Sequence, residues 1–174
     1  MQPRNIIKIG IFLLCAGCVE VPDFPVTPTI SFNSVYFKDE SPVDNIYLTI
    51  NYKDGDGDLG LNNNDLLVPP FEEFIDSQGI QIPNRNHYNI FPVILRKNGD
   101  AFEPVIQSGY DGIFPRLRVD ARKGPIEGTI LYKLSSVNFF NQDSSIAKIR
   151  VYIQDRALRK SNIIETPPFP VIYN

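Results

Sequence analysis

Cysteine is nearly absent from this chain, and its placement removes several chemistries at once. The two cysteines, Cys15 and Cys18, both fall in the first eighteen residues. Beyond them no thiol remains for a disulfide, a zinc site or a nucleophile. The chain has no tryptophan, one methionine and one histidine, His87. A Ser-His-acid triad would need His87 as its base, yet no Gly-x-Ser-x-Gly elbow presents a serine. Zinc hydrolysis lacks its His and Cys ligands, and no glycine-rich loop opens a helix to cradle phosphate. Glycosidases need only two carboxylates, but Glu72 and Glu73 read as a solvated face like many other acids here. With no catalytic site in view, the expectation is a non-enzymatic protein. Seventeen Lys and Arg against twenty Asp and Glu give a formal net charge of −3. No basic stripe departs from that balance, so nucleic acid is not an expected partner. No apolar run reaches the roughly 20 residues of a membrane span.

What is present begins at the N-terminus. Arg4 and Lys8 precede the apolar run Ile9-Gly-Ile-Phe-Leu-Leu-Cys-Ala-Gly-Cys18. A short basic start, a brief apolar stretch and small residues before a cut form a secretory signal. Ala16-Gly17-Cys18, with Leu13 and Leu14 upstream, resembles the lipobox of bacterial lipoproteins. Cys15 stands where that motif usually has leucine. The resemblance implies a signal peptide over residues 1–17, cleavage before Cys18 and a diacylglyceryl thioether on its sulfur. Two or more acyl chains hold a protein firmly to a membrane, where one does not. The expected location is therefore the cell envelope, anchored through lipid.

Cleavage would leave about 157 residues, the size of one domain. Residues 18–29 contain Pro22, Pro25 and Pro28. They read as a lipidated cysteine and an extended tether, able to hold the domain roughly 30 Å from the lipid at about 3.1 Å per residue. An ordinary first edge strand is the other reading.

Residues 30–174 read as short strands between turns. Ile30-Ser-Phe-Asn-Ser-Val-Tyr-Phe37 alternates with a slip near Ser34. Ile46, Leu48 and Ile50 share one face of a strand, as do Ile149, Val151 and Ile153. Residues 87–96 form another, closing at Asn98-Gly99, a strong hairpin signal. Residues 101–107 return from it, and Pro104 pushes them to a sheet edge. Residues 114–119, 128–134 and 169–173 are further candidates. Phe71-Glu-Glu-Phe-Ile-Asp76, after Pro69-Pro70, could start one or two helical turns. Fifteen prolines, twelve phenylalanines and eight tyrosines accompany this pattern. The fold class expected is all-β: an antiparallel β-sandwich, immunoglobulin- or fibronectin-like, with little helix.

The sharpest motif in the domain is Asp54-Gly-Asp-Gly-Asp-Leu-Gly60, followed by Leu61-Asn-Asn-Asn-Asp65. Three carboxylates at alternate positions repel one another, with only Lys53 near in sequence. Ca²⁺ would offset that repulsion, since it takes six to eight oxygen ligands. The oxygens converge only if the loop curls, which Gly55, Gly57 and Gly60 permit. An EF-hand is excluded, because Leu59 stands where that loop requires glycine and Asp65 where it carries glutamate. Two readings stay open: a structural calcium loop using Asp54, Asp56, Asp58 and Asp65, or a solvated acidic turn. Asp155 could join from a neighbouring strand end, or simply cap its turn and pair with Arg156 or Arg159. Its surroundings, Asp155-Arg-Ala-Leu-Arg-Lys-Ser-Asn162, resemble the last hairpin of bacterial immunoglobulin-like and cadherin-like modules. Leu158-Arg159 replace the Gly-Asn usual there.

Taken in order, the lipobox, Tyr52-Lys-Asp-Gly-Asp-Gly-Asp-Leu-Gly-Leu61, Pro69-Pro70-Phe71, and Asp155-Arg-Ala-Leu with Ser161-Asn162 resemble a group of uncharacterised lipoproteins of the Bacteroidota. The resemblance implies an exported immunoglobulin-like β domain and carries no activity. An envelope or surface module for interaction or structure is the function expected, with the membrane and a protein ligand as partners. The alternative is a carbohydrate-binding accessory lipoprotein in glycan capture, for which Tyr88, Phe91, Tyr110, Phe114, Phe139 and Phe140 would have to include an exposed platform.

Overall fold

A computed structural model describes residues 22–40, 44–75, 78, 81–82, 84–105, 110–120, 122–135 and 144–172. Cys15, Cys18, Phe139 and Phe140 lie outside them. The ten strands are β1 (Thr29–Lys38), β2 (Asn45–Asp54), β3 (Phe74–Ile75), β4 (Gln81–Ile82), β5 (Ile90–Asn98), β6 (Ala101–Pro104), β7 (Ile126–Ser135), β8 (Ser145–Ile153), β9 (Ile164–Glu165) and β10 (Phe169–Val171). The two larger sheets have the orders β1-β2-β7 and β10-β8-β5-β6, with β9 also paired to β8, and β3 and β4 form a separate two-stranded sheet. All pairings are antiparallel. Lettered A, B, C, C′, E, F and G, the main strands read A-B-E against G-F-C-C′, an immunoglobulin-like arrangement. Among the described residues no helix is long and apolar enough to cross a membrane.

Period-two patterning builds the core. Ile46, Leu48 and Ile50 of β2 are fully buried and meet Ile149, Val151 and Ile153 of β8, also fully buried. β2 is the middle strand of its sheet, which is why its apolar row is so completely enclosed. The slip expected near Ser34 is a bulge, with the register shifting between Phe32 and Ser34. Pro104 does end an edge strand. Pro92 is tolerated in β5 because β6 pairs only from Leu95 onward, so at Pro92 the sheet has no further strand on that side.

Two expected elements take other forms. Residues 114–119 are not a strand. Pro115 lacks a ladder donor, and the segment spends its backbone on the acidic loop: Leu61 N–H donates to Phe114 O (3.2 Å) and Leu117 N–H to Leu59 O (3.2 Å). The turns expected from Phe71 do not extend into a helix. Phe71 and Glu72 both donate to Val68 O, making one turn, and the Asn84 amide then takes the Pro70 and Glu72 carbonyls. Short 3-10 turns occur instead at Asp65–Leu67 and Arg85–His87. The last residues before β1 lie against the sandwich. Pro28 is buried, β1 starts at Thr29, and Pro25 O accepts from Gly55 N–H at 2.9 Å.

Ile149→Ala should lower unfolding stability by about 2–5 kcal/mol, because it opens a cavity between the sheets. Ile163→Ala, at a position 63% exposed, should change it by less than about 0.5 kcal/mol. Urea unfolding followed by circular dichroism measures both.

Candidate metal centre

The acidic loop leaves β2 at Asp54 and is gripped on every side. Asp54 is completely buried. Its Oδ2 accepts from the backbone N–H groups of Gly57 (2.7 Å) and Asp58 (3.0 Å), which curls the loop into a tight turn. Gly57 has φ 72° and Gly60 φ 90°, conformations that a side chain rarely adopts. A Cβ at Gly60 would also stand 2.1 Å from Pro115 O. Between these glycines Leu59 enters the core and is fully buried. Each residue type in Asp-Gly-Asp-Gly-Asp-Leu-Gly thus has its own reason: carboxylates for the turn, glycines for the approach, leucine for the anchor.

One carboxylate oxygen from each of Asp54, Asp56 and Asp58 lies within 4.8 Å of the others. Arg159 supplies the counter-charge. Its guanidinium reaches Asp56 Oδ2 (2.6 Å), Asp58 Oδ2 (3.1 Å) and Asp155 Oδ2 (2.7 Å). Asp155 caps its own turn, accepting the Arg159 N–H at Oδ1 (2.7 Å). Arg156 sits close by but donates to the Gly60 carbonyl at 3.2 Å. Three carboxylates therefore share one guanidinium, while Asp54 beside them is held by backbone N–H groups. The Oδ1 atoms of Asp54, Asp56 and Asp58 are buried without a hydrogen-bond partner. Buried polar atoms are seldom left so.

The residual negative charge is visible in the acidities. Burial, then Asp155, Asp56 and Asp54, push the Asp58 carboxyl up to about 6. Burial and Asp56 also raise Asp54, and burial raises Asp155 despite Arg159. Burial pulls against the charge of Arg159, but its contacts with Asp56 and Asp155 outweigh that and hold it well above its usual value.

Not every expected ligand joins the group. Asp65 is placed elsewhere: it pairs with Arg116 through both oxygens and accepts the Asn62 N–H at 2.8 Å. Burial opposes its charge, yet the Arg116 and Asn62 bonds hold its carboxyl below the usual range. It belongs to an Asx-type turn closed by Asp65 N–H to Asn62 Oδ1 (2.9 Å). Asp155 does come to the loop, but through Arg159 and not as a member of the three-oxygen group. The residue the motif search passed over is Arg159 as partner of Asp56 and Asp58, more than a hundred positions away in sequence; its only signal was the Asp155-Arg159 spacing.

Asn162 holds both the N–H (2.8 Å) and the C=O (2.9 Å) of Ile30, tying the hairpin after β8 to β1. Asn89 clamps Phe114 in the same two-handed way, at 2.8 and 2.9 Å. His87 holds Phe71 O through Nδ1 at 2.8 Å and so fastens the turn before β3. Among the aromatics proposed as a platform, Phe91 and Phe114 are buried and Tyr88 and Tyr110 half-buried. The Phe91 ring stacks on Tyr152, with centroids 4.6 Å apart.

A carboxylate whose folded pKa is raised favours the folded state fully below its unfolded value of 3.8 and loses that contribution as pH rises through about 6. With divalent cations chelated, unfolding stability should therefore rise by about 1–3 kcal/mol between pH 7 and pH 5. Denaturant titrations at the two pH values in EDTA test the sign; a fall would contradict the assigned burial of these carboxylates. Comparison with known protein families, curated proteins and solved structures finds no match.

Proposed function

We propose that this chain is an envelope lipoprotein: a β-sandwich held to a membrane through lipid on Cys18, acting as a non-enzymatic interaction or structural module with a structural Ca²⁺ in its acidic loop. One observation carries the anchored reading, the basic, apolar and small-residue succession that ends at Cys18.

The calcium part rests on fit. Asp54, Asp56 and Asp58 would hold the ion, with Asp155 close enough to add to the field through Arg159. Carboxylate oxygens suit a hard cation such as Ca²⁺. The loop carries more negative charge than Arg159 cancels, and its three buried Oδ1 atoms have no other partner. A bound Ca²⁺ supplies positive charge and no reaction. Three protein carboxylates are fewer than the six to eight ligands Ca²⁺ takes, so affinity in the roughly 10⁻⁴–10⁻³ M class of extracellular modules is expected.

Millimolar Ca²⁺ should raise the thermal midpoint of the protein at pH 7. At about 10 mM the linkage amounts to roughly 1.4–2.7 kcal/mol, or about 3–10 °C for a domain of this size. Asp56→Asn should remove most of that increment. A midpoint equal in Ca²⁺ and EDTA would defeat the calcium assignment and leave the solvated-turn reading.

For the anchor, the native chain should partition into the detergent phase and begin, by mass spectrometry, at an acylated Cys18. Cys18→Ala should stay uncleaved and unacylated. An N-terminus at Met1 on water-soluble native protein would overturn the proposal.

A further inference from the structure

A sandwich must dispose of its sheet edges, since each presents unpaired backbone groups to any passing strand. Here three of the four edges of the two larger sheets, β1, β10 and β6, are closed by visible devices. β1 lies against β9 and β10, and Asn162 takes both backbone groups of Ile30. β6 is only four residues long and ends at Pro104. β7 has neither device. It runs for ten residues, pairs along its whole length with β2, and among the described residues no strand pairs with its other side. Six of its residues are exposed, and Leu131 on its outward face is 64% exposed.

We infer that β7 pairs antiparallel with β7 of a second copy of this chain, about a two-fold axis at Ile130, joining two three-stranded sheets into one of six strands. The occupant is chosen by charge complementarity. β7 reads Ile126-Glu-Gly-Thr-Ile-Leu-Tyr-Lys-Leu-Ser135, with Glu127 and Lys133 three residues either side of Ile130. In this register Glu127 of each copy faces Lys133 of the other, twice by symmetry. Opposed charges across a strand pair attract, and like charges repel. Sliding the strands by two residues would put Glu127 opposite Leu131 or Ser135, and Lys133 opposite Pro125 or Thr129. Sliding by one would turn the apolar row out of the core. The centred register alone keeps the faces and pairs both charges. On the core side it sets Ile130 against Ile130 and Ile126 against Leu134, extending the apolar row.

Among the described residues both charges have only long-range partners within their own chain, Lys133 also lying over the Tyr47 ring at 5.6 Å. Glu127 has Lys53 at 3.8 Å with both side chains more than half exposed, and Lys133 has Glu40 at 3.9 Å. The first is an exposed pair, worth little, and the second is long, with Glu40 itself bonded to Asn45 and Tyr47. An interface made by one strand pair falls in the small, weak class, so a covalent trap reads it better than dilution.

In the same register Thr129 faces Leu131 of the other copy, and both are exposed. The full chain carrying Thr129→Cys and Leu131→Cys is oxidised and run without reductant. The parent, with only Cys15 and Cys18, sets the background. The expected result is at least about fivefold more disulfide dimer than the parent. Adding Glu127→Lys or Lys133→Glu alone should cut the trapped dimer about tenfold, and adding both should restore it to within about twofold, since the swap rebuilds both pairs. Circular dichroism on each variant reports the folded fraction to which dimer yields are normalised. No dimer above background, dimer indifferent to the single reversals, or a swap that fails to restore it would each overturn the pairing. Neither calcium nor lipid enters this readout.

Discussion

The Arg159 guanidinium is the interaction on which this end of the molecule depends. It stands between a loop that leaves one sheet and a turn that leaves the other, and touches Asp56, Asp58 and Asp155 together. Removing charges from water is costly unless they are paired and hydrogen-bonded. Without Arg159 the Asp-Gly-Asp-Gly-Asp turn would meet Asp155 as an uncompensated cluster. Its position is bought with backbone strain: Leu158, immediately before it, sits at φ 64°, in the left-handed region that favours glycine. A leucine held there by surrounding contacts points to a turn whose shape is fixed by what it must present.

That network is partial by construction. Arg159 engages the Oδ2 atoms of Asp56 and Asp58, while the backbone N–H groups of Gly57 and Asp58 engage Oδ2 of Asp54. One oxygen of each carboxylate is thus used to shape the loop and the other is left over. A group that needed only structural neutrality could use a second arginine. Arg156 is near enough to serve, yet its guanidinium holds the Gly60 carbonyl. Protons answer part of the remaining deficit, as the raised Asp58 carboxyl indicates. The Ca²⁺ proposed for this loop would compete with those protons for the same oxygens.

The β character of the chain was legible because two of its long strands, β2 and β8, follow period two along their buried rows. Ile46, Leu48, Ile50 and Ile149, Val151, Ile153 could be assigned inward from spacing alone, and the bulge at Ser34 showed as a break in that spacing. Residues 114–119 misled for a physical reason. Phe114 is buried as an inward strand residue would be, but Pro115 and the demands of the acidic loop claim the backbone that a ladder would use. The acidic motif was visible as three carboxylates needing a counter-charge. Which residue answers was not, because local sequence carries no sign of a contact between residues so far apart. Asp65 shows the opposite error: adjacency in sequence suggested membership, whereas Arg116 holds it in a separate pair.

Docking of the N-terminal segment belongs to the same packing problem. Pro25 O receives the Gly55 N–H, Lys53 lies over the Phe24 ring at 5.0 Å, and a Cβ on Gly55 would come within 2.2 Å of Phe24 O. The first residues of the domain therefore rest on the outer wall of the loop whose inner wall carries the carboxylates. Gly124 closes the other flank, its N–H donating to Asp56 O at 3.3 Å. An ordered loop is a precondition for both contacts, and each contact in turn limits how far the carboxylates can move apart. Charge compensation, loop shape and the seating of the chain's entry into the sandwich are one cooperative unit. A perturbation of any of the three is felt at the others before it reaches the Ile46 to Ile153 core, which is built from apolar rows alone and has no share in this balance of charge.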